Sequence, residues 1–139
     1  MDNMNWAVIY QNLPLFFKGI RMTMSVSFFA LLLSIPIGTV AGLFRVSRLR
    51  LLRFVAAVYV EFFRGVPLLV LLIWIFFVLG RFFKLAAYWA GVWGLGVFSG
   101  AFVAEIVRAG IQSVPKGQME AARASGMTYL QAMRYVILP

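Results

Sequence analysis

The chain has 139 residues, 63% of them hydrophobic and 12% charged, with a formal net charge of +9. Soluble domains carry roughly 25% charged residues, and so short a chain cannot bury that much apolar surface within itself, so a water-soluble globular fold is excluded. Cysteine and histidine are both absent, which removes disulfides, thiolate chemistry and the commonest zinc ligands.

The basic excess does not point to nucleic acid. The arginines and lysines sit between long apolar runs, as membrane topology requires, and not on one face where they could neutralise phosphates. The start, Met1-Asp2-Asn3-Met4, is not basic, and the first long apolar run opens only at Met22. That run is too long for a signal core and reads as a retained span.

Three membrane spans are predicted. The first, over about 22–44, is free of formal charge and long enough to cross a hydrocarbon core of roughly 30 Å. The second, over about 54–79, rests on the uncharged stretch 65–80 extended back to Phe54, and so takes in Glu61 and Arg64. Three residues apart on one helix face, these two are placed to pair with each other. They fit either an intramembrane pair beside a pathway or, as preferred here, an interfacial pair with Arg64 snorkelling and Glu61 reaching water. Gly65-Val66-Pro67 predicts a bend or restart, because proline removes a ladder hydrogen bond. The third span, over about 85–108, is built on the uncharged run 85–104.

Gly38 with Gly42, and Gly96 with Gly100, have the G-x-x-x-G spacing that lets helix backbones approach closely. They suit packing within the chain first and a dimer contact second. Trp74, Tyr88, Trp89 and Trp93 lie near predicted span ends, as interfacial anchors or packing residues. With three spans, Lys18, Arg21, Arg81 and Lys84 fall on one side. Arg45, Arg48, Arg50, Arg53, Arg108, Lys116, Arg123 and Arg134 fall on the other. The richer side is placed in the cytoplasm, which puts the N-terminus outside and the tail inside.

After Ala104 the chain turns polar yet still reads as helical. Pro115 suits a first helical turn, residues 118–124 are mostly good helix formers, and Gly126 is a natural residue to end that helix. Thr128 with Gln131 makes a capping-box pattern, opening a second helix that runs toward Leu138 and is closed by Pro139. A cytoplasmic helix–turn–helix over about 113–139 follows. From composition alone it either docks into a partner protein or lies as an amphipathic hairpin on lipid headgroups.

The segment Glu120-Ala121-Ala122, with Gly126 and then Val136-Ile137-Leu138-Pro139, resembles the EAA motif of ABC importer permeases, with Val136 where isoleucine is usual. Phe63-Arg64-Gly65-Val66-Pro67-Leu68-Leu69-Val70, Ala104-Glu105-Ile106-Val107-Arg108-Ala109-Gly110-Ile111 and Ser113-Val114-Pro115-Lys116-Gly117-Gln118 look like the polar amino acid branch, the histidine/glutamine-type permeases. The resemblance runs from about Gly19 to Pro139. It implies an all-α integral membrane fold: three transmembrane helices plus the coupling helix–turn–helix, an ABC importer transmembrane domain over 1–139 that lacks its last two spans.

It also implies a multi-pass protein of the bacterial cytoplasmic (inner) membrane that carries a polar amino acid inward. The partners implied are an ABC ATPase subunit, a second permease subunit (the same chain or another) and a periplasmic or extracellular amino-acid-binding protein, with lipid around them. The ATPase-coupling residues implied are Gly117, Glu120, Ala121, Ala122 and Gly126. Ala121 and Ala122 would keep one side slim enough to enter a cleft, Glu120 and Arg123 would offer charged edges, and Gly126 would permit a sharp turn.

No catalytic, cofactor or metal residues are expected. There is no G-x-x-x-x-G-K-[ST] loop to cradle phosphates, none of the lysines follows a glycine, and no nucleophile–base constellation exists. ATP hydrolysis is therefore assigned to a partner, and no substrate-contacting residue is assigned. The rival reading is a small three-span assembly or scaffold protein without transport activity.

Overall fold

The computed structural model describes residue 10 and residues 12–83 and 86–138. Among these, the α-helices in order are α1 (Leu13–Val46), α2 (Arg50–Gly65), α3 (Leu68–Phe83), α4 (Ala87–Ser113), α5 (Lys116–Ala124) and α6 (Tyr129–Ala132), and a π-helical turn (Met133–Ile137) follows. No strand occurs among the described residues. Expectations that fall on Met1–Met4, Lys84, Leu85 and Pro139 lie outside them.

Helix α1 is longer than the predicted first span. Its 34 residues measure about 51 Å at 1.5 Å per residue. A proline in the first turn suits the start, where the missing N–H is not needed, and the helix continues through Pro36. It stops where Ser47 turns extended and its N–H caps the Phe44 carbonyl at 3.1 Å. Helix α4 likewise outruns its prediction, with 27 residues ending at Ser113. Both are long and apolar enough to cross a membrane.

The stretch predicted as one span over about 54–79 is divided at the predicted bend. Two helices occupy this stretch, Arg50–Gly65 and Leu68 onward, and they meet at 108°. The cause is local: Val66, before Pro67, is extended (φ −95°, ψ 133°), as steric clash with the proline ring demands. Pro67 cannot donate a ladder bond, but its carbonyl accepts from Leu71 N–H at 3.1 Å and so starts α3. Each helix has 16 residues, about 24 Å, too short alone for a core of roughly 30 Å. The described chain therefore holds two candidate spans, or three if the bent pair counts as one.

The core is a seam of small residues between α1 and α4. Helix α1 buries Ala30, Ser34, Gly38, Ala41 and Gly42; α4 answers with Ala90, Val92, Gly94, Gly96, Gly100, Ala101 and Ala104. A Cβ on Gly38 would lie 2.4 Å from Val103 Cβ and 2.6 Å from the Gly100 carbonyl oxygen. One on Gly42 would lie 2.8 Å from the Ala104 carbonyl oxygen. Both glycine pairs thus lie on the α1–α4 seam, Gly38 and Gly42 against residues 100–107 and Gly96 and Gly100 against Leu33 and Ile37, and close helix approach is their purpose. Tyr59 of α2 locks on from the side, its hydroxyl donating to the Val97 carbonyl at 2.6 Å. Large apolar side chains point outward instead, among them Phe16, Phe28, Leu31, Trp74 and Phe77, as expected where lipid or further helices surround the bundle.

Candidate functional site

The polar tail folds as a helix–turn–helix. Helix α4 breaks at Val114, which is extended before Pro115. Pro115 sits one position ahead of α5, and its carbonyl accepts from Gln118 N–H at 3.0 Å. At the far end, Gly126 takes φ +85°. Its N–H bonds the Arg123 carbonyl at 3.0 Å and the Met127 N–H bonds the Ala122 carbonyl at 3.2 Å, the two bonds of a Schellman motif. A Cβ on Gly126 would meet nothing within 4 Å. Backbone conformation, not space, demands glycine there.

The second arm opens with the predicted capping box. Gln131 N–H donates to Thr128 Oγ1 at 3.3 Å, and Thr128 N–H donates to Gln131 Oε1 at 2.8 Å. After one α-turn the chain widens into the π-helical turn, where Leu138 N–H reaches the Met133 carbonyl at 2.9 Å. The hairpin is tied to the α1–α2 loop by the Arg48 guanidinium, 4.9 Å from the centre of the Tyr129 ring, a cation–π contact.

The predicted coupling residues divide into two sets. Gly117, Glu120, Ala121 and Gly126 are exposed along one arm and its turn. Ala122 is not: it is 6% exposed, and with Ala132 and Met133 it forms the interior of the hairpin. The expectation that Ala122 offers a slim outer side is corrected. Its small size lets the two arms close, since α5 packs on α6 and the π-helical turn. Exposed apolar groups on the second arm, Leu130 and Tyr135, escaped the sequence reading, although their adjacency to polar Gln131 and Arg134 marks an amphipathic surface.

Beside the hairpin, charges converge. Glu105 of α4 holds Arg45 of α1 at 2.9 Å, Arg108 at 2.8 Å and Arg64 of α2 at 3.7 Å. Arg108 also donates to Gln112 Oε1 at 2.9 Å. Glu61 reaches Arg45 at 3.7 Å and is largely exposed. The predicted Glu61–Arg64 pair is therefore corrected: each finds its partner on another helix, because the α2–α4 contact brings the deeper carboxylate within reach of Arg64. A cavity of about 1020 Å³ opens between α2, the end of α4 and the hairpin, lined by Arg50, Arg53, Lys116 and Met119 among others. No group of acidic residues among those described could hold a metal ion.

The chain as a whole is similar to known proteins. Residues 34–139 match the family described as binding-protein-dependent transport system inner membrane component. The chain is 40% identical over 137 residues to the probable glutamine ABC transporter permease protein GlnM of Bacillus subtilis, covering 98% of this chain and 63% of that protein. It is 38% identical over 125 residues to the glutamate transport system permease protein GluD of Corynebacterium glutamicum, covering 87% and 46% respectively. The crystal structure of an amino acid ABC transporter with histidines superposes with a TM-score of 0.87 at 42% identity, covering 99% of this chain and 65% of that one. The chain thus spans less than two thirds of the length of these relatives. A family match over residues 34–139, most of the chain, settles the point: the chain belongs to the family of binding-protein-dependent transport system inner membrane components.

Proposed function

We propose that this chain is a membrane-spanning permease portion of an ATP-driven ABC importer that moves a polar amino acid into the cytoplasm. The observation that carries the proposal is the exposed hairpin. It is short, capped at both arms and fixed by a Schellman turn, and it follows a long apolar helix directly. A stiff projecting element of this kind can pass a rigid movement between a membrane bundle and a separate ATPase subunit. Gly117, Glu120, Ala121 and Gly126 supply its outer surface, and Ala122 supplies its closure.

In this reading the basic loop 45–53 and the hairpin face the cytoplasm, and the N-terminus faces outward. A second permease subunit, identical or not, completes the pathway, and an external amino-acid-binding protein delivers substrate. The ATPase subunit hydrolyses ATP; this chain does not. The relatives' names, glutamine and glutamate among them, support a polar amino acid as substrate class.

A second reading has its own support. Leu130 is 77% exposed and Tyr135 63%, which suits a hairpin lying on lipid headgroups. Uptake decides the function. The complete gene product, reconstituted in proteoliposomes with its ATPase and binding protein, should accumulate a radiolabelled polar amino acid only when ATP is supplied on the hairpin side. Accumulation that is independent of ATP, or absent for every polar amino acid tried, would reject the proposal.

A further inference from the structure

One carboxylate ties together three helices that the transport reading uses separately. Glu105 is mostly buried, its side chain 18% exposed, and it faces guanidinium groups from the last turn of α1, the last turn of α2 and the next turn of its own helix. Each of these arginines leads somewhere. Arg64 stands three residues before Pro67, at the bend between α2 and α3. Arg45 precedes the loop whose Arg48 covers the Tyr129 ring of the hairpin. Arg108 grips Gln112, in the final turn of α4 before the chain enters the hairpin at Pro115.

The charge balance makes this arrangement depend on a single group. Without the Glu105 carboxylate, three guanidinium groups gathered around one partly desolvated point would have, among the described residues, only the Glu61 carboxylate nearby. Glu61 touches Arg45 alone, at 3.7 Å, and is 76% exposed. Like charges so placed repel, most at Arg45, whose side chain is the least exposed of the three. The three helix ends would move apart, and the bend would no longer follow the hairpin.

Resting on the coupling reading above, we propose that Glu105 is the positioning residue that makes the bend at Val66–Pro67 and the hairpin move as one body. Its role is to keep ATP hydrolysis and substrate movement in step.

The test compares amino acid taken up per ATP hydrolysed, in reconstituted complexes of the complete gene product normalised for assembled complex. Arg64→Gln cuts what ties the bend to α4, the ion pair with Glu105 and the guanidinium contact with the Phe102 ring at 5.7 Å. Arg64 is 46% exposed and the Arg45–Glu105–Arg108 cluster stays intact, so this variant should fold. Its uptake per ATP should fall about 5-fold or more, the low end of ordinary coupling between sites, while ATP hydrolysis persists. Glu105→Gln should fall further, and Arg64→Lys, which keeps the charge, should recover most of the ratio. If Arg64→Gln keeps the wild-type ratio, the proposal is overturned, whatever becomes of Glu105→Gln. It is equally overturned if Glu105→Gln lowers only the amount of complex and leaves the ratio of the remainder unchanged. A wild-type complex with no ATP-driven uptake would instead refute the transport reading, and this proposal with it.

Discussion

Gly126→Val tests why the hairpin needs its glycine. At φ +85° an L-residue clashes with its own carbonyl, at about 1–2 kcal/mol. A β-branched side chain moves the cost toward the upper end of the roughly 1–3 kcal/mol typical of such strain. No neighbour lies within 4 Å of the new Cβ, so no packing term adds to it and none relieves it. The Schellman bonds of Gly126 and Met127 hold the turn, and this strain works directly against them. A shift of that size lowers the equilibrium constant for forming the turn by roughly 5- to 150-fold. The spans lie outside the turn, so membrane insertion should be unchanged. Limited proteolysis should cut the variant near residue 126 faster than wild type, and the ATPase subunit should co-purify poorly. Gly126→Asn, which tolerates the left-handed region, should behave nearly as wild type. If asparagine is as damaging as valine, backbone conformation is not the cause and the argument fails.

Other predictions follow the same geometry. Gly38→Leu would drive a side chain into the Gly100 carbonyl and Val103, and overpacking against backbone should cost about 3 kcal/mol or more; detergent-solubilised protein should lose thermal stability, whereas Gly91→Ala, with open space around it, should lose none. Ala121→Arg, on the exposed side, should block ATPase association and leave the hairpin protease-resistant, while Ala122→Arg should make the hairpin itself protease-sensitive. Matching proteolysis patterns for the two would contradict the division of the arms. Single cysteines at Leu49 and Phe82, both exposed, should react from opposite sides of the membrane, position 82 from outside. Labelling of both from one side would show that the bent pair is re-entrant and does not cross.

Much of this fold was legible in the sequence because its determinants are local. Uncharged runs located α1 and α4, and Pro67 announced the break, since the restriction it places on Val66 acts between neighbours. Gly126 and the Thr128–Gln131 box marked the hairpin, for their hydrogen bonds close within a few residues. The angle of the break was not legible: a proline sets where a helix stops, but the packing of α2 and α3 against α4 sets 108°. Glu61 and Arg64 misled for a related reason. Their spacing permits a pair, yet an exposed helical pair contributes only about 0.2–0.5 kcal/mol, and a more buried carboxylate one helix away draws Arg64 off. Ala122 is the third case. Two adjacent alanines look alike in sequence, but on a helix they point about 100° apart, and only the position of the second arm decides which is buried.

The proposed function stands or falls on whether the hairpin docks on an ATPase subunit. The direct measurement is site-specific crosslinking in native membranes, with Ala121→Cys in the complete gene product and a short thiol–amine reagent. Docking should yield a crosslinked species containing this chain and the ATPase subunit, formed at Ala121→Cys and lost when Gly126→Val is combined with it. A cysteine at 121 that never crosslinks to the ATPase, and is instead quenched by a lipid-borne probe, would contradict the claim and place the hairpin on the membrane surface.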